Sequence, residues 1–118
     1  MDTNISKGKY GEQVAKKYLI NEGYKIIEMN FTSKIGEIDI IALDADMLVF
    51  IEVKTRSNKN FGYAFEAVNY KKQMKIINLS NLYIKFKKLK NIQIRYDIIE
   101  VYLEEKKYIN HIKDAFRL

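Results

Sequence analysis

The sequence predicts an α/β or α+β sandwich, a mixed sheet flanked by helices. Three observations predict it. Hydrophobic residues make up 47% of the 118 positions and run through the whole length, enough to bury a core. Their periodicity alternates between that of helices and that of strands, in the order helix, three strands, helix, one or two strands. Proline is absent, and no Gly/Ser linker or internal repeat breaks the pattern, so residues 1–118 are expected to form a single domain.

Residues 7–21 read as a helix, because Val14, Ala15, Tyr18 and Leu19 recur at helical spacing and Gly23 follows where helices close. Residues 24–31 read as a strand centred on Ile26 and Ile27, residues 32–36 as a turn, and residues 37–43 as an isoleucine-rich strand. Asp44, Ala45 and Asp46 read as a hairpin turn, although they lack the glycine that favours one. Residues 47–56 form the next strand and residues 57–62 a polar loop. A second long helix is expected over 64–88, with Val68, Ile76, Leu79, Tyr83 and Phe86 as its inner stripe. Residues 91–103 read as a strand, 106–109 as a short last strand, and the residues after 110 as a helical turn.

Composition removes several classes of function. With no cysteine there is no disulfide, no thiolate zinc site and no cysteine nucleophile. The first residues lack the basic and apolar segments of a signal peptide, and the longest apolar run, 47–51, is too short to span a bilayer. A cytoplasmic protein without membrane association is expected. The formal charge of +6 suits a polyanionic partner through counterion release. The same balance also follows from a lysine-rich composition alone, so charge leaves both readings open.

The chemistry lies in two strands. Side chains two apart on a strand share a face. In 47–56, Val49, Ile51, Val53 and Thr55 share one face, and Leu48, Phe50, Glu52, Lys54 and Arg56 share the other. Both faces begin apolar, as in a strand covered on both sides. In the preceding strand Ile38, Ile40 and Ala42 share a face, opposite Glu37, Asp39 and Ile41. Pairing across the 44–46 turn brings Asp39 toward Glu52. Two neighbouring buried carboxylates repel each other, and a divalent cation resolves the conflict. Asp39, Glu52, the Val53 carbonyl and waters make an all-oxygen site suited to Mg²⁺ or Mn²⁺. An ammonium from Lys54 beside it favours hydroxide and stabilises charge developing on a phosphate, which together describe phosphodiester hydrolysis; the same three residues also read as an edge-strand ion pair worth little.

Glu12 lies at the edge of the first helix's apolar stripe. It reads either as a third acid reaching over the sheet or as a solvated helix flank. Glu37 reads as a residue that caps or orients the site. Arg56 holds a phosphate or faces solvent. His111 is not needed as a ligand. No acidic residue occurs from Ala67 through Tyr96, a stretch that holds Lys71, Lys72, Lys75, Lys85, Lys87, Lys88, Lys90 and Arg95. That cluster reads as a phosphate-backbone surface without base readout, with Lys72 or Gln73 facing the site. Phe61, Tyr63 and Tyr70 either stack on bases or pack in the core.

These residues carry a family resemblance. Gly36-Glu37-Ile38-Asp39-Ile40-Ile41-Ala42 and Phe50-Ile51-Glu52-Val53-Lys54-Thr55-Arg56 resemble the YraN family, which is similar to the Holliday-junction resolvases within the restriction-endonuclease-like PD-(D/E)xK superfamily. Gly11-Glu12, Gly23-Tyr24, Asn30, Phe61-Gly62, Glu66-Ala67-Val68, Arg95-Tyr96-Asp97 and His111-Ile112 extend the resemblance over nearly the whole chain. It implies an αβββαβ core with a mixed central sheet, metal ligands at Asp39 and Glu52, a catalytic Lys54, and a helix glutamate at Glu12. The superfamily's proline before the aspartate is Ile38 here. The activity implied is endonucleolytic cleavage of DNA, with branched or repair intermediates as substrates. Action on a four-way junction would require a symmetric homodimer. A non-catalytic nucleic-acid-binding or partner-recruiting module on the same fold is the alternative.

Overall fold

The computed structural model describes residues 4–56, 68–104 and 106–117. Seven elements follow in chain order: α1 (Asn4–Asn21), β1 (Lys25–Ser33), β2 (Gly36–Asp44), β3 (Met47–Arg56), α2 (Tyr70–Phe86), β4 (Gln93–Tyr102) and β5 (Tyr108–Ile112). The strands form one sheet in the order β1-β2-β3-β4-β5. Every neighbouring pair is antiparallel except β3 and β4, which run parallel from Met47↔Gln93 to Arg56↔Tyr102. Parallel neighbours need a crossover, and α2 lies within it. The order α1-β1-β2-β3-α2-β4 is the αβββαβ arrangement, with β5 added at the edge. No helix among the described residues is long and apolar enough to cross a membrane.

Each sheet face has its own core. Ala15 and Leu19 of α1 pack on Ile40, Val49, Ile51, Ile99 and Val101. Ile76, Leu79 and Tyr83 of α2 pack on Ile38, Phe50 and Ile98. The alternation expected for β3 is therefore observed. Helix α1 ends as expected, with Gly23 at φ 94° and the Tyr24 N–H donating to the Leu19 carbonyl at 2.9 Å. The 44–46 hairpin turn is present without glycine, and Ala45 takes φ 56° to make it.

Four expectations change. The second helix starts later than expected: Asn69 accepts the Lys72 N–H and caps α2 at Tyr70, so Val68 is buried ahead of the helix. Phe86, expected on the inner stripe, is 71% exposed at the last turn. The inner face turns instead through Ile77 and Ser80, whose hydroxyl meets the Tyr96 hydroxyl at 2.5 Å. The helical turn expected after 110 is strand, because Ile98↔Ile112 pairing continues β5. Past it the Ala115 N–H returns to the Tyr96 carbonyl at 2.7 Å. Finally, Ile38 and Ile40 lie in opposite cores rather than on one face. The reason lies in β1: the pairs Met29↔Ile40 and Phe31↔Ile38 set Asn30 opposite Asp39, and Asn30 has left-handed backbone, φ 54°, which interrupts the pleat.

A buried polar network ties the far end of the sheet to α1. Asp97, wholly buried, accepts from Arg95 Nε and Nη2 at 2.8 and 2.9 Å, from the Asp114 N–H at 3.0 Å, and meets His111 Nε2 at 2.7 Å. Burial alone would raise the Asp97 pKa, but His111 and Arg95 hold it below the usual carboxylate range. Arg95 also reaches Asp44 and the Tyr24 hydroxyl, and His111 Nδ1 meets the Tyr18 hydroxyl at 2.9 Å. Arg95 is thus committed to carboxylates and leaves the phosphate surface expected of residues 67–96.

Candidate metal centre

The site begins where a ladder stops. β2 and β3 pair from Asp44↔Met47 to Ile40↔Ile51 and no further. The same register carried on would set Asp39 opposite Glu52 and Ile38 opposite Val53. Instead the Asp39 carboxylate accepts the Val53 N–H at 2.8 Å, where a strand carbonyl would otherwise bond. The strands part at this point and open a cleft of about 600 Å³.

Asp39 and Glu52 meet across the opening. Glu52 is 5% exposed. Its Oε2 lies 2.6 Å from Lys72 Nζ and 3.4 Å from Lys54 Nζ. Burial and the neighbouring Glu52 carboxylate push Asp39 up to about 9. Burial opposes ionisation of Glu52 too, but the hydrogen bond with Asp39 and the Lys72 and Lys54 ammoniums hold it below its ordinary value. Burial, aided by Lys72, lowers Lys54 against the pull of Glu52, whereas the Glu52 contact raises Lys72 against burial. Without a cation the pair therefore favours one shared proton, with Asp39 the carboxyl group pushed toward holding it. Two carboxylates unable to ionise together, with only oxygen donors, fit a hard divalent cation.

Further acids converge on Asp39. Glu12, Glu37 and Asp39 each offer a carboxylate oxygen within 4.8 Å of the others. Gly11 sets Glu12 there, since a Cβ at Gly11 would fall 1.9 Å from Thr55 Oγ1 and push α1 off β3. Asn30 Nδ2 donates to Glu12 Oε1 at 2.9 Å and to Glu37 Oε1 at 3.3 Å.

Of the residues singled out in the sequence, Glu12, Asp39, Glu52, Val53, Lys54, Arg56, Lys72 and Lys75 all line this cleft. Lys71 is exposed on α2 and does not line it. Gln73 turns away, donating to the Val68 carbonyl at 2.8 Å. Arg56 lies in the wall with Nε 3.9 Å from Glu100, its Nε and Nη2 sealed from solvent without an acceptor. Lys85, Lys87, Lys88 and Lys90 follow α2 toward its C-terminal end, outside the cleft lining. Tyr70 is 74% exposed rather than in the core; Phe61 and Tyr63 fall outside the described residues. Two participants were not given these roles by sequence reasoning. Glu37 was read as capping or orienting the site rather than as one of its clustered acids, and Asn30 carried no role because its left-handed backbone leaves no mark in the pattern.

A model of the family described as "Uncharacterised protein family UPF0102" matches residues 11–101. A UPF0102 protein of Clostridioides difficile is 54% identical over 113 residues, covering 96% of this chain and 98% of that protein. One from Caldanaerobacter subterraneus is 50% identical over 113 residues, covering 92% and 93%. Among solved structures, Pyrococcus furiosus SfsA in complex with Ca²⁺ overlaps with a TM-score of 0.34 at 14% identity, over 95% of this chain and 64% of that one. At that score the two folds correspond only loosely.

Proposed function

This chain belongs to UPF0102, the family called YraN above, and from that membership and its acidic cleft we propose a single-domain, metal-dependent nuclease that hydrolyses DNA phosphodiester bonds in the cytoplasm. The observation that carries the reading is the Asp39–Glu52 pair at the parted strands, with two ammoniums on Glu52. Asp39, Glu52 and Glu12 would hold Mg²⁺ or Mn²⁺. When bound, the ion supplies Lewis acidity and a water acidic enough to attack at neutral pH.

The chain's own groups do the rest. Lys54 Nζ, half-buried and held near Glu52, stabilises negative charge growing on the phosphate oxygens, and its lowered proton affinity suits it to pass a proton. Lys72 and Lys75, on the α2 side of the cleft, hold the approaching phosphate, while Arg56, sealed in the wall beside Glu100, adds positive charge behind it rather than a direct contact. Exposed Lys71 would meet the flanking backbone. Branched or repair intermediates are the substrates we propose, with a homodimer where two strands are cut together.

One observation favours the non-catalytic reading. The 2.6 Å Lys72–Glu52 pair already satisfies a carboxylate that an ion would need. Cleavage of linear, flapped, nicked and four-way DNA with Mg²⁺ and Mn²⁺ separates the two. Wild type should cut at least one substrate, with Asp39→Asn and Lys54→Ala reduced at least about 100-fold and still folded. Equal behaviour of all three proteins on every substrate removes the enzyme.

A further inference from the structure

Glu12 and Glu37 come from different elements, α1 and β2, yet their carboxylates sit together beside Asp39. Like charges at that separation repel unless something neutral or positive stands between them. Asn30 of β1 stands there. Its Nδ2 donates to both carboxylates, and its Oδ1 accepts from Lys9 Nζ at 3.3 Å. Lys9 Nζ also lies 3.9 Å from Glu12 Oε1. Thr32 Oγ1 shares its one proton between the Asn30 carbonyl at 3.0 Å and Glu37 Oε2 at 3.4 Å.

The backbone is bent to make this possible. Asn30 has φ 54°, a conformation that asparagine tolerates better than most side chains. An amide oriented this way has two protons on one nitrogen and two acceptors to meet, which a carboxylate or an aliphatic side chain cannot supply. The bent backbone serves the packing of the two cores, setting Phe31 in one and Met29 in the other, but the side-chain amide does not: its hydrogen bonds run to Glu12, Glu37 and Lys9.

We propose that Asn30 is a positioning residue for the divalent cation. Its amide, backed by Lys9 and Thr32, holds Glu12 and Glu37 in place before the ion arrives and brings Glu37 in as a further acid beside Asp39. The proposal rests on the metal-centre reading above. It goes beyond it in assigning Asn30 and Glu37 to the same assembly, across three elements.

The test is Mg²⁺ and Mn²⁺ binding measured by calorimetry on the full chain, with no DNA present. Asn30→Gly keeps the left-handed backbone and removes only the amide. It should weaken binding about 10-fold or more, as loss of an orienting neighbour does at metal sites. In a Glu12→Gln/Glu37→Gln background the same change should do nothing further, because the amide acts through those two carboxylates. Thr32→Val should weaken binding in the same direction by less, and serves should Asn30→Gly melt early. Unchanged affinity in both single variants overturns the proposal. An equal loss in the two backgrounds also overturns it, since a general loosening of the fold would act that way. If wild type binds neither ion, the metal centre falls together with Asn30's role. If wild type binds but cuts no DNA, only the nuclease reading falls.

Discussion

At the scale of residues, the site is governed by how few charges its carboxylates can carry at once. With Asp39 raised, folding takes up a proton there. In the metal-free protein the contribution of Asp39 to stability falls as pH climbs from about 4 toward about 9, and is flat beyond. Glu52, shifted the opposite way, adds stability above its ordinary range that is lost as acid protonates it in the folded state. Thermal melts in a chelator should therefore show Asp39→Asn gaining on wild type from pH 5 to pH 9. Divalent ions must displace that same proton, so their affinity should rise by up to about tenfold per pH unit below about 9, with proton release visible by calorimetry in buffers of different ionisation enthalpy. A pH-independent affinity would contradict the shared proton. Lys72 competes for Glu52 from the other side. Removing its charge in Lys72→Met should tighten Mg²⁺ binding about tenfold in the same titration, because one cation no longer has to be displaced by another. Lys54 and Glu52 were legible in the sequence because charged side chains interrupt an apolar strand. The reach of Lys72 from a helix onto the same oxygen was foreseen only as one of two choices, since a helical wheel does not fix the distance to a sheet.

At the scale of elements, the regular parts were readable and the irregular ones were not. The bounds of β3 coincide with the expected 47–56, because its hydrophobic run is flanked on both sides by polar residues. The start of α2 was missed by several residues, since Asn69 caps it with a side-chain bond that resembles any polar loop residue in sequence. The break in β2 was missed because its cause, Asn30, sits on the neighbouring strand. The turn between β2 and β3 was found but its strain was not. Ala45 is left-handed at φ 56°, which costs an alanine about 1–2 kcal/mol, offset only in part by glycine's greater freedom when unfolded. Ala45→Gly should therefore stabilise the chain by about 0.5–1 kcal/mol, read as a higher urea midpoint with unchanged slope. A lower midpoint would mean that the alanine methyl packs usefully in the turn.

At the scale of the whole molecule, the two ends of the sheet have opposite tasks. One end opens into the cleft. The other is closed by Asp97, which gathers β4, β5 and, through Arg95 and His111, α1, Tyr24 just ahead of β1 and the end of β2. Asp97→Asn should cost about 3 kcal/mol or more, because it removes the buried one of the two carboxylates on the Arg95 guanidinium and leaves only the more exposed Asp44. The variant should also lose the share of acid sensitivity that comes from protonating a depressed carboxylate. Denaturation measured at pH 7 and at pH 3 checks both, and a mild loss at pH 7 would point to Asp44 holding Arg95 alone. None of this closure was read from the chain, since its members are scattered from Tyr18 to Asp114 and only the folded sheet makes them neighbours.

The pairing of β3 is unequal along its two sides. β4 holds it without a gap from Met47 to Arg56, while β2 lets go after Ile40. Glu52 and Lys54 thus stand on a strand anchored by β4, while Asp39 and Glu37 are moored to β1, across the gap from β3. A cation held between Asp39 and Glu52 would bridge β2 and β3 where their backbone rungs are missing, a rivet in place of a seam.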